Sequence, residues 1–251
     1  MSGANPSLAI DADEMRLRRD LAALYRIVAL FGWDDLLSTH ISVRLPGRDH
    51  HFLLNPLGLL FEEITASSLV RVDLEGNVLE DRDVRVNPAG FTIHSAIHAA
   101  RTDANCVIHL HTTPGVAVSS QAQGLLPSNQ IAMLLNGRVA YHDYEGVALN
   151  LDERERLVRD LGDKPAMILR NHGTLAAGTS VGDAFQTMYF LERACAIQVA
   201  AQSGGAALNI PGKEVQEVVT RQVSSFGDIA DRLLWPAMLR KLDRIDRSYR
   251  D

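Results

Sequence analysis

Helical and strand-like segments alternate along this chain of 251 residues, and their order limits the folds that it can adopt. Before Pro88, the short runs "STHISVRL", "HFLLN" and "LVRVDLEGNVLE" have the composition of strands, and Glu75-Gly76-Asn77 predicts a hairpin turn in the last one. After Pro88, the helical pattern "GFTIHSAIHAARTD" leads into the strand-like run "CVIHLH". The runs "RVAYHDY" and "AMILRN" predict two more strands around the charged helix "LDERERLVRDLG". This order predicts an α/β fold with a mixed, mostly antiparallel sheet.

Longer helical patterns lie towards both ends of the chain. Apolar residues recur at three- and four-residue spacing over residues 13–30, with Asp11 or Asp13 as the candidate cap. A second long helix is predicted over "VGDAFQTMYFLERACAIQVAAQ" and ends at "SGG". No repeat or long linker divides the sequence. We therefore predict one domain over residues 1–251, with residues 203–251 as its C-terminal helical extension.

Composition and charge exclude several classes of function. The chain is 46% hydrophobic, enough for a sizeable core, and its formal net charge of −6 gives no basic footprint for nucleic acid or an anionic membrane. Its start lacks the pattern of an export signal, and its two cysteines are too few for a disulfide framework. We expect a cytoplasmic protein whose partners are small molecules or other protein chains, and neither nucleic acid nor membrane.

Three histidines form a candidate metal site. In "VIHLH", His109 and His111 alternate, so a strand places both on one face; two such histidines can also be ordinary polar residues on a solvated edge. A third, His172, follows the apolar run "AMILR" at a glycine turn. Three neutral imidazoles with an open position match catalytic zinc, although manganese, iron, cobalt and nickel also accept such ligands.

Three stretches resemble the class II aldolase/adducin superfamily from about Leu17 to Ala200: "FTIHSAIHAARTDANCVIHLHTTPGVAVSS", "YHDYEGV" and "ILRNHGTLAAGTSVGDAFQTMYFLERAC". The tail "LLWPAMLRKLDR" is similar to the adducin-type branch. The resemblance implies a three-layer α/β/α sandwich and a zinc site on the histidines named above. It also implies a homotetramer with sites between subunits.

The sequence departs from the aldolases of this superfamily at two substrate-binding positions. Where they carry Ser-Ser-Glu, with the glutamate as general acid/base, this chain has Pro88-Ala89-Gly90. Where they carry a hydroxyl residue before glycine, it has Leu57-Gly58. A phosphorylated substrate is therefore not supported. We place Gly58, Gly90 and the histidine of "STHIS", His40, at the substrate.

These residues predict a metal-dependent lyase for a small non-phosphorylated hydroxy- or keto-acid. Decarboxylation suits Gly90 better than aldol cleavage, because loss of carbon dioxide leaves an enolate without a base removing a proton. The enolate must then be protonated, and histidines and tyrosines near the predicted site are the candidate donors. They are His142, Tyr141, Tyr144 and His94, with His98 and His40 as further candidates.

Two other functions remain open at this stage. Adducin heads share the "NPAGF" replacement, so the chain could be a catalytically inactive interaction module of the cytoskeletal, actin-binding type with a relic metal site. Alternatively, His94 and His98 lie four positions apart on one predicted helix and could chelate an ion in a metallohydrolase. Ser95 stands where a zinc-protease helix has glutamate, which disfavours that reading.

Overall fold

The computed structural model of the protein describes residues 10–47, 51–80, 82–147, 151–223 and 228–251. The first nine residues of the segment on which the absence of an export signal was predicted lie outside the described ranges. One sheet of seven strands has the order β3-β2-β1-β4-β7-β6-β5, and only β5 and β6 pair in parallel. The strands are β1 (His40–Arg44), β2 (Phe52–Leu54), β3 (Val70–Val72), β4 (Cys106–Leu110), β5 (Val139–His142), β6 (Ala166–Leu169) and β7 (Gly173–Gly178). The predicted mixed, mostly antiparallel sheet is confirmed.

Eight α-helices are described, and side chains from the preceding residue cap the two longest. Asp11 accepts a hydrogen bond from the Glu14 amide at 2.8 Å, and Ser180 accepts one from the Asp183 amide at 3.0 Å. The helices are α1 (Ala12–Leu30), α2 (Pro88–Ala100), α3 (Thr113–Ser119), α4 (Gln130–Met133), α5 (Glu153–Leu161), α6 (Val181–Gln202), α7 (Lys213–Val223) and α8 (Trp235–Asp243). None of the helices in the described ranges is both long and apolar enough to cross a membrane.

Helices cover both faces of the sheet, which gives three layers. On β4, Ile108 packs into a core that includes apolar residues of α1 and α6. Its neighbour Val107 points the other way, into a core that includes residues of α2 and α5. Both strand residues are fully buried. The α/β/α sandwich explains why the run "CVIHLH" is apolar on both faces except where histidine interrupts it.

The predicted hairpin is shorter than its sequence pattern indicates. The turn at Asp73 forms, with the Asp73 amide donating to the Asn77 carbonyl at 3.2 Å. Beyond it, however, a single antiparallel bridge between Val72 and Val78 replaces a second strand. Asp73 ties the turn with its own carboxylate, which accepts from the amides of Glu75 and Asn77.

The C-terminal segment packs on α1 and α6. Trp235, Leu242 and Tyr249 join the core on that side of the sheet. The indole of Trp235 donates to Asp20 of α1 at 3.0 Å. In contrast, none of the described residues of α7 is buried.

A buried ionic cluster ties α1 to β3. Glu14 accepts from Arg18 at 2.8 Å and from Arg71 at 2.7 Å, and all three side chains are at most 2% exposed. Glu80 contacts the guanidinium of Arg18 from the other side. The cluster holds two positive charges in the interior, so each carboxylate is needed to balance them.

We predict that Glu14→Ala lowers the free energy of unfolding by about 3 kcal/mol, because it leaves two buried guanidinium groups short of an anion. Urea unfolding followed by circular dichroism measures the change. Asp13→Ala is the matched control, since Asp13 is 78% exposed and forms only a surface pair with Arg16. Equal effects of the two substitutions would contradict the role given to the cluster.

Candidate metal centre

The pairing of β4 with β7 brings the three predicted histidines together. His109 lies in β4 and His111 just beyond it, while His172 immediately precedes β7. The candidate ligand atoms of the three side chains all lie within 4.8 Å of one another. The Nε2 atom of His111 is 2.9 Å from Nε2 of His109 and 3.0 Å from Nε2 of His172. Three ring nitrogens therefore converge on one point.

Acceptors behind the ligands fix which nitrogen faces that point. The Nδ1 atom of His109 lies 3.0 Å from the carbonyl oxygen of Thr174, which can only accept a hydrogen bond. The Nδ1 atom of His111 lies 3.2 Å from a carboxylate oxygen of Asp35. In both rings the proton belongs on Nδ1, so the Nε2 lone pair is free to bind an ion.

Burial keeps the rings of His109 and His172 neutral. Desolvation, reinforced by neighbouring histidines, lowers the pKa of His109 well below its ordinary value. The same two causes lower the pKa of His172 to about 4. Neutral imidazole is the form that binds metal, so the donor set fits a divalent ion such as zinc.

A short backbone distortion aims His172 at the centre. Asn171 has a φ of 56°, in the left-handed region, where asparagine is tolerated better than most residues. Its amide donates to the carbonyl of Ser119 at 3.2 Å, which anchors the turn to α3. Gly173 follows, and a Cβ there would lie 2.3 Å from the carbonyl oxygen of Leu110. The close approach of β7 to β4 thus requires glycine at this position.

The three histidines stand at the wall of a cavity of about 430 Å³. His40 and Tyr144 also line it, and Leu37, Ile93 and Val147 supply apolar surface. Ser38 and Asn87 contribute polar groups. Among the residues that the structure describes, no lysine or arginine lines this cavity.

His40 occupies the space in front of Gly90. A Cβ placed on Gly90 would lie 2.4 Å from Cδ2 and 2.6 Å from Cγ of the His40 ring. These distances are far below normal contact, so no side chain fits at position 90 while His40 keeps its place. Glycine at position 90 is therefore a steric requirement of this site.

The structure brings two of the predicted proton donors, Tyr144 and His40, to the cavity. Tyr144 is 53% exposed, and its ring centroid lies 6.4 Å from that of His172. The ring of His40 lies beside that of His109, with 5.1 Å between centroids, because the two residues pair across β1 and β4. His94 sits behind His40, with 2.8 Å between their nitrogens.

The other predicted site residues face elsewhere. Tyr141 accepts a hydrogen bond from the Leu125 amide, and His142 is held between Asp160 at 2.8 Å and Glu153 at 3.3 Å. Gly58, with a φ of 107°, is not among the residues that line the cavity. His98 shares the Ser42 hydroxyl with His94 inside the core. The two therefore do not face a cavity as the metallohydrolase alternative requires.

The sequence analysis did not identify Asp35, Thr174 or Ser42 as site residues. Asp35 lies in the loop after α1 and reaches His111 only because the chain folds back over the sheet. The contact of Thr174 is made by its backbone oxygen, which no residue type specifies. Ser42 has one usable signal, its alternation with His40 in "STHIS", which places both on one strand face.

Comparison with known proteins identifies the family of this chain. Residues 19–199 match the model of the Class II Aldolase and Adducin N-terminal domain. The chain belongs to this family, as the sequence motifs predicted.

Proteins similar to this chain include both putative aldolases and adducins. The "Putative aldolase class 2 protein" of Caulobacter vibrioides is 53% identical over 254 residues, covering 99% of each chain. Alpha-adducin of Rattus norvegicus is 47% identical over 215 residues, covering 82% of this chain but 29% of that protein. The solved L-fuculose 1-phosphate aldolase of Glaciozyma antarctica superposes with a TM-score of 0.84 at 28% identity, covering 99% and 97% of the two chains.

We predict that His111→Ala lowers bound metal by tenfold or more (order of magnitude), since even loss of a group behind a ligand can cost that much. Elemental mass spectrometry of zinc-loaded, desalted protein measures the stoichiometry. His51→Ala, a histidine substitution away from the cavity, serves as the control. Unchanged metal in His111→Ala would contradict the assigned centre.

A second prediction concerns Gly90. Alanine normally stabilises a helix relative to glycine, but Gly90→Ala should destabilise the protein by about 1–3 kcal/mol, because its Cβ collides with His40. Adding His40→Ala should remove that cost. Thermal and urea unfolding of the two single variants and the double variant measure the coupling.

Gly204→Ala provides the control, since a Cβ there meets nothing within 4 Å. Independent, additive effects of Gly90→Ala and His40→Ala would show that the two residues do not compete for space.

Proposed function

We propose that this protein is a metal-dependent lyase of the class II aldolase type that decarboxylates a small, non-phosphorylated hydroxy- or keto-acid. One observation carries the proposal. Three convergent imidazoles stand at the wall of a cavity, and none of the described residues that line this cavity is a lysine or an arginine. Three neutral ligands leave positions open on a divalent ion. A bound ion would attract two substrate oxygens and stabilise negative charge on them.

The lining of the cavity supports the substrate class. Proteins hold phosphate groups with arginine, lysine or the amides of a helix N-terminus. The described lining has no such cation, and much of it is apolar, from Leu37, Ile93 and Val147. A phosphate dianion would lose its hydration there without compensation. A carboxylate whose charge is neutralised at the metal centre does not meet this cost.

Gly90 supports decarboxylation over aldol cleavage. In a 3-keto acid, when the bond from C2 to the carboxylate carbon breaks, carbon dioxide leaves and the electron pair of that bond passes into the 3-carbonyl, which gives an enolate. No base has to remove a proton for this step. The missing glutamate, whose place is closed by His40, is therefore not required.

Tyr144 is the group that we assign to protonate the enolate carbon. It lines the cavity, and its 53% exposure lets solvent return the proton to its hydroxyl. We assign His40 to binding, as an acceptor for a substrate hydroxyl. Tyr141 and His142 are not assigned a role in the reaction, because their polar atoms are engaged outside the cavity.

A second candidate function is that of an adducin-like interaction module. The identity to alpha-adducin favours it, as do exposed apolar side chains beside the cavity. Leu36 and Val147 are each 69% exposed. Such residues suit contact with another protein chain. In this alternative the histidine centre is a relic or a structural metal site.

Assembly, metal identity and location belong to the proposal as well. We infer a homo-oligomer, a tetramer by resemblance, with zinc on the histidine centre. A small-molecule substrate and a cytoplasmic location complete this picture. Analytical ultracentrifugation and elemental analysis of protein purified from its native host test the first two points.

The decisive experiment is a screen of hydroxy- and keto-acids for carbon dioxide release by zinc- or manganese-loaded protein. We expect turnover of a non-phosphorylated acid and none of a ketose phosphate. Tyr144→Phe should lower kcat by about 100-fold or more, the usual effect of losing a general acid. Tyr141→Phe is the matched control and should leave kcat nearly unchanged.

Cleavage of a ketose phosphate would contradict the substrate class. Absence of any turnover by metal-loaded protein, together with specific binding of a cytoskeletal protein, would favour the adducin-like function.

A further inference from the structure

A chain of four buried polar side chains leads from the cavity into the protein. His40 contacts His94 at 2.8 Å through Nδ1, and His94 contacts the Ser42 hydroxyl at 2.5 Å through its own Nδ1. Ser42 in turn lies 2.7 Å from Nε2 of His98. The last ring nitrogen, Nδ1 of His98, lies 3.0 Å from the carbonyl oxygen of Ala104. All four side chains are at most 2% exposed.

The carbonyl at the inner end fixes every proton in this chain. It can only accept, so His98 carries its proton on Nδ1, and in the neutral ring Nε2 must accept. Ser42 therefore donates to His98, and its oxygen accepts from Nδ1 of His94. Nε2 of His94 is then an acceptor, which requires His40 to donate from Nδ1. The Nε2 atom of His40 is left as an unprotonated lone pair.

The surroundings support neutral rings throughout. Burial is the largest cause that lowers the pKa of His98, to about 3, and the nearby Arg44 guanidinium lowers it further. Burial and His98 likewise lower the pKa of His94. No carboxylate in the described part of the chain is hydrogen-bonded to any of the four side chains. Nothing there stabilises an imidazolium that would reverse the order of protons.

We propose that Ser42 and His98 are positioning residues that hold His40 in its Nδ1-protonated form, so that the Nε2 lone pair is directed at the cavity beside the metal centre. His40 lines that cavity. A fixed acceptor recognises a ligand that carries a donor next to its metal-binding oxygens, as the hydroxyl of a 2-hydroxy-3-keto acid does. The identity of this ligand rests on the proposed function; the tautomer of His40 does not.

Nuclear magnetic resonance tests the tautomer directly. In zinc-loaded protein labelled with nitrogen-15 and carbon-13 at histidine, long-range correlations separate protonated from unprotonated ring nitrogens, and His40→Gln assigns the His40 signals. We expect Nε2 of His40 to be unprotonated and Nδ1 to be protonated. The opposite pattern in the wild-type protein would overturn the proposal without any further variant.

Ser42→Ala then tests the positioning. Without the hydroxyl, His94 loses the partner of its Nδ1 proton, and we expect the unprotonated Nε2 signal of His40 to be lost or strongly weakened. Ser95→Ala is the matched control, because Ser95 is equally buried on α2 but bonds only the Thr92 carbonyl, at 3.4 Å. An unchanged His40 tautomer in folded Ser42→Ala would overturn the role of Ser42.

Failure of this proposal and failure of the lyase are distinguishable. The predicted tautomer without any decarboxylation would leave the hydrogen-bond chain in place and contradict the lyase. Decarboxylation by a protein whose His40 is protonated on Nε2 would support the lyase and contradict the proposed tautomer of His40.

Discussion

The antiparallel pairing of β4 with β7 is the contact on which the metal centre depends. It sets His109 opposite Leu175, and so places His172, just before β7, next to His111. The pairing is fully buried between two helical layers, so its register is fixed by the apolar side chains that point alternately to each side. A shift of the strand register by one residue would point the His109 side chain into the core on the opposite face of the sheet. The geometry of three imidazoles is thus specified by core packing rather than by the histidines themselves.

Burial of so many imidazoles has a cost that the structure meets in two ways. Desolvation lowers the pKa values of His40, His94, His98 and His109, which keeps these rings neutral. The Nδ1 atom of each of these four rings also lies within hydrogen-bond distance of an oxygen or nitrogen atom. Both arrangements leave Nε2 atoms facing the cavity. The same physical requirement therefore produces the candidate metal ligands and, one strand away, the proposed acceptor at His40.

Gly90 and His40 compete for one space in the candidate site. When the sequence is considered alone, glycine in place of the general acid/base glutamate that the resemblance implies indicates loss of catalytic activity. In the folded protein, the His40 ring fills the space that a side chain at position 90 would occupy. A cavity in which a histidine ring occupies that space differs from a cavity that only lacks a polar group there. That difference is the reason to retain a catalytic proposal for a chain with a close adducin relative.

The α/β class, the two long helices, the cap of the first one and the three histidines were predictable from the sequence, because periodicity, capping residues and alternation are local properties. The sequence did not determine the single bridge that replaces the predicted hairpin, nor that Tyr141 and His142 face away from the cavity while Tyr144 lines it. The contacts of Asp35 and the Thr174 carbonyl, and the path from His40 to Ala104, join segments far apart in the chain. Only tertiary structure could decide these, since which polar atoms meet depends on how the layers pack and on which backbone groups are left to be satisfied.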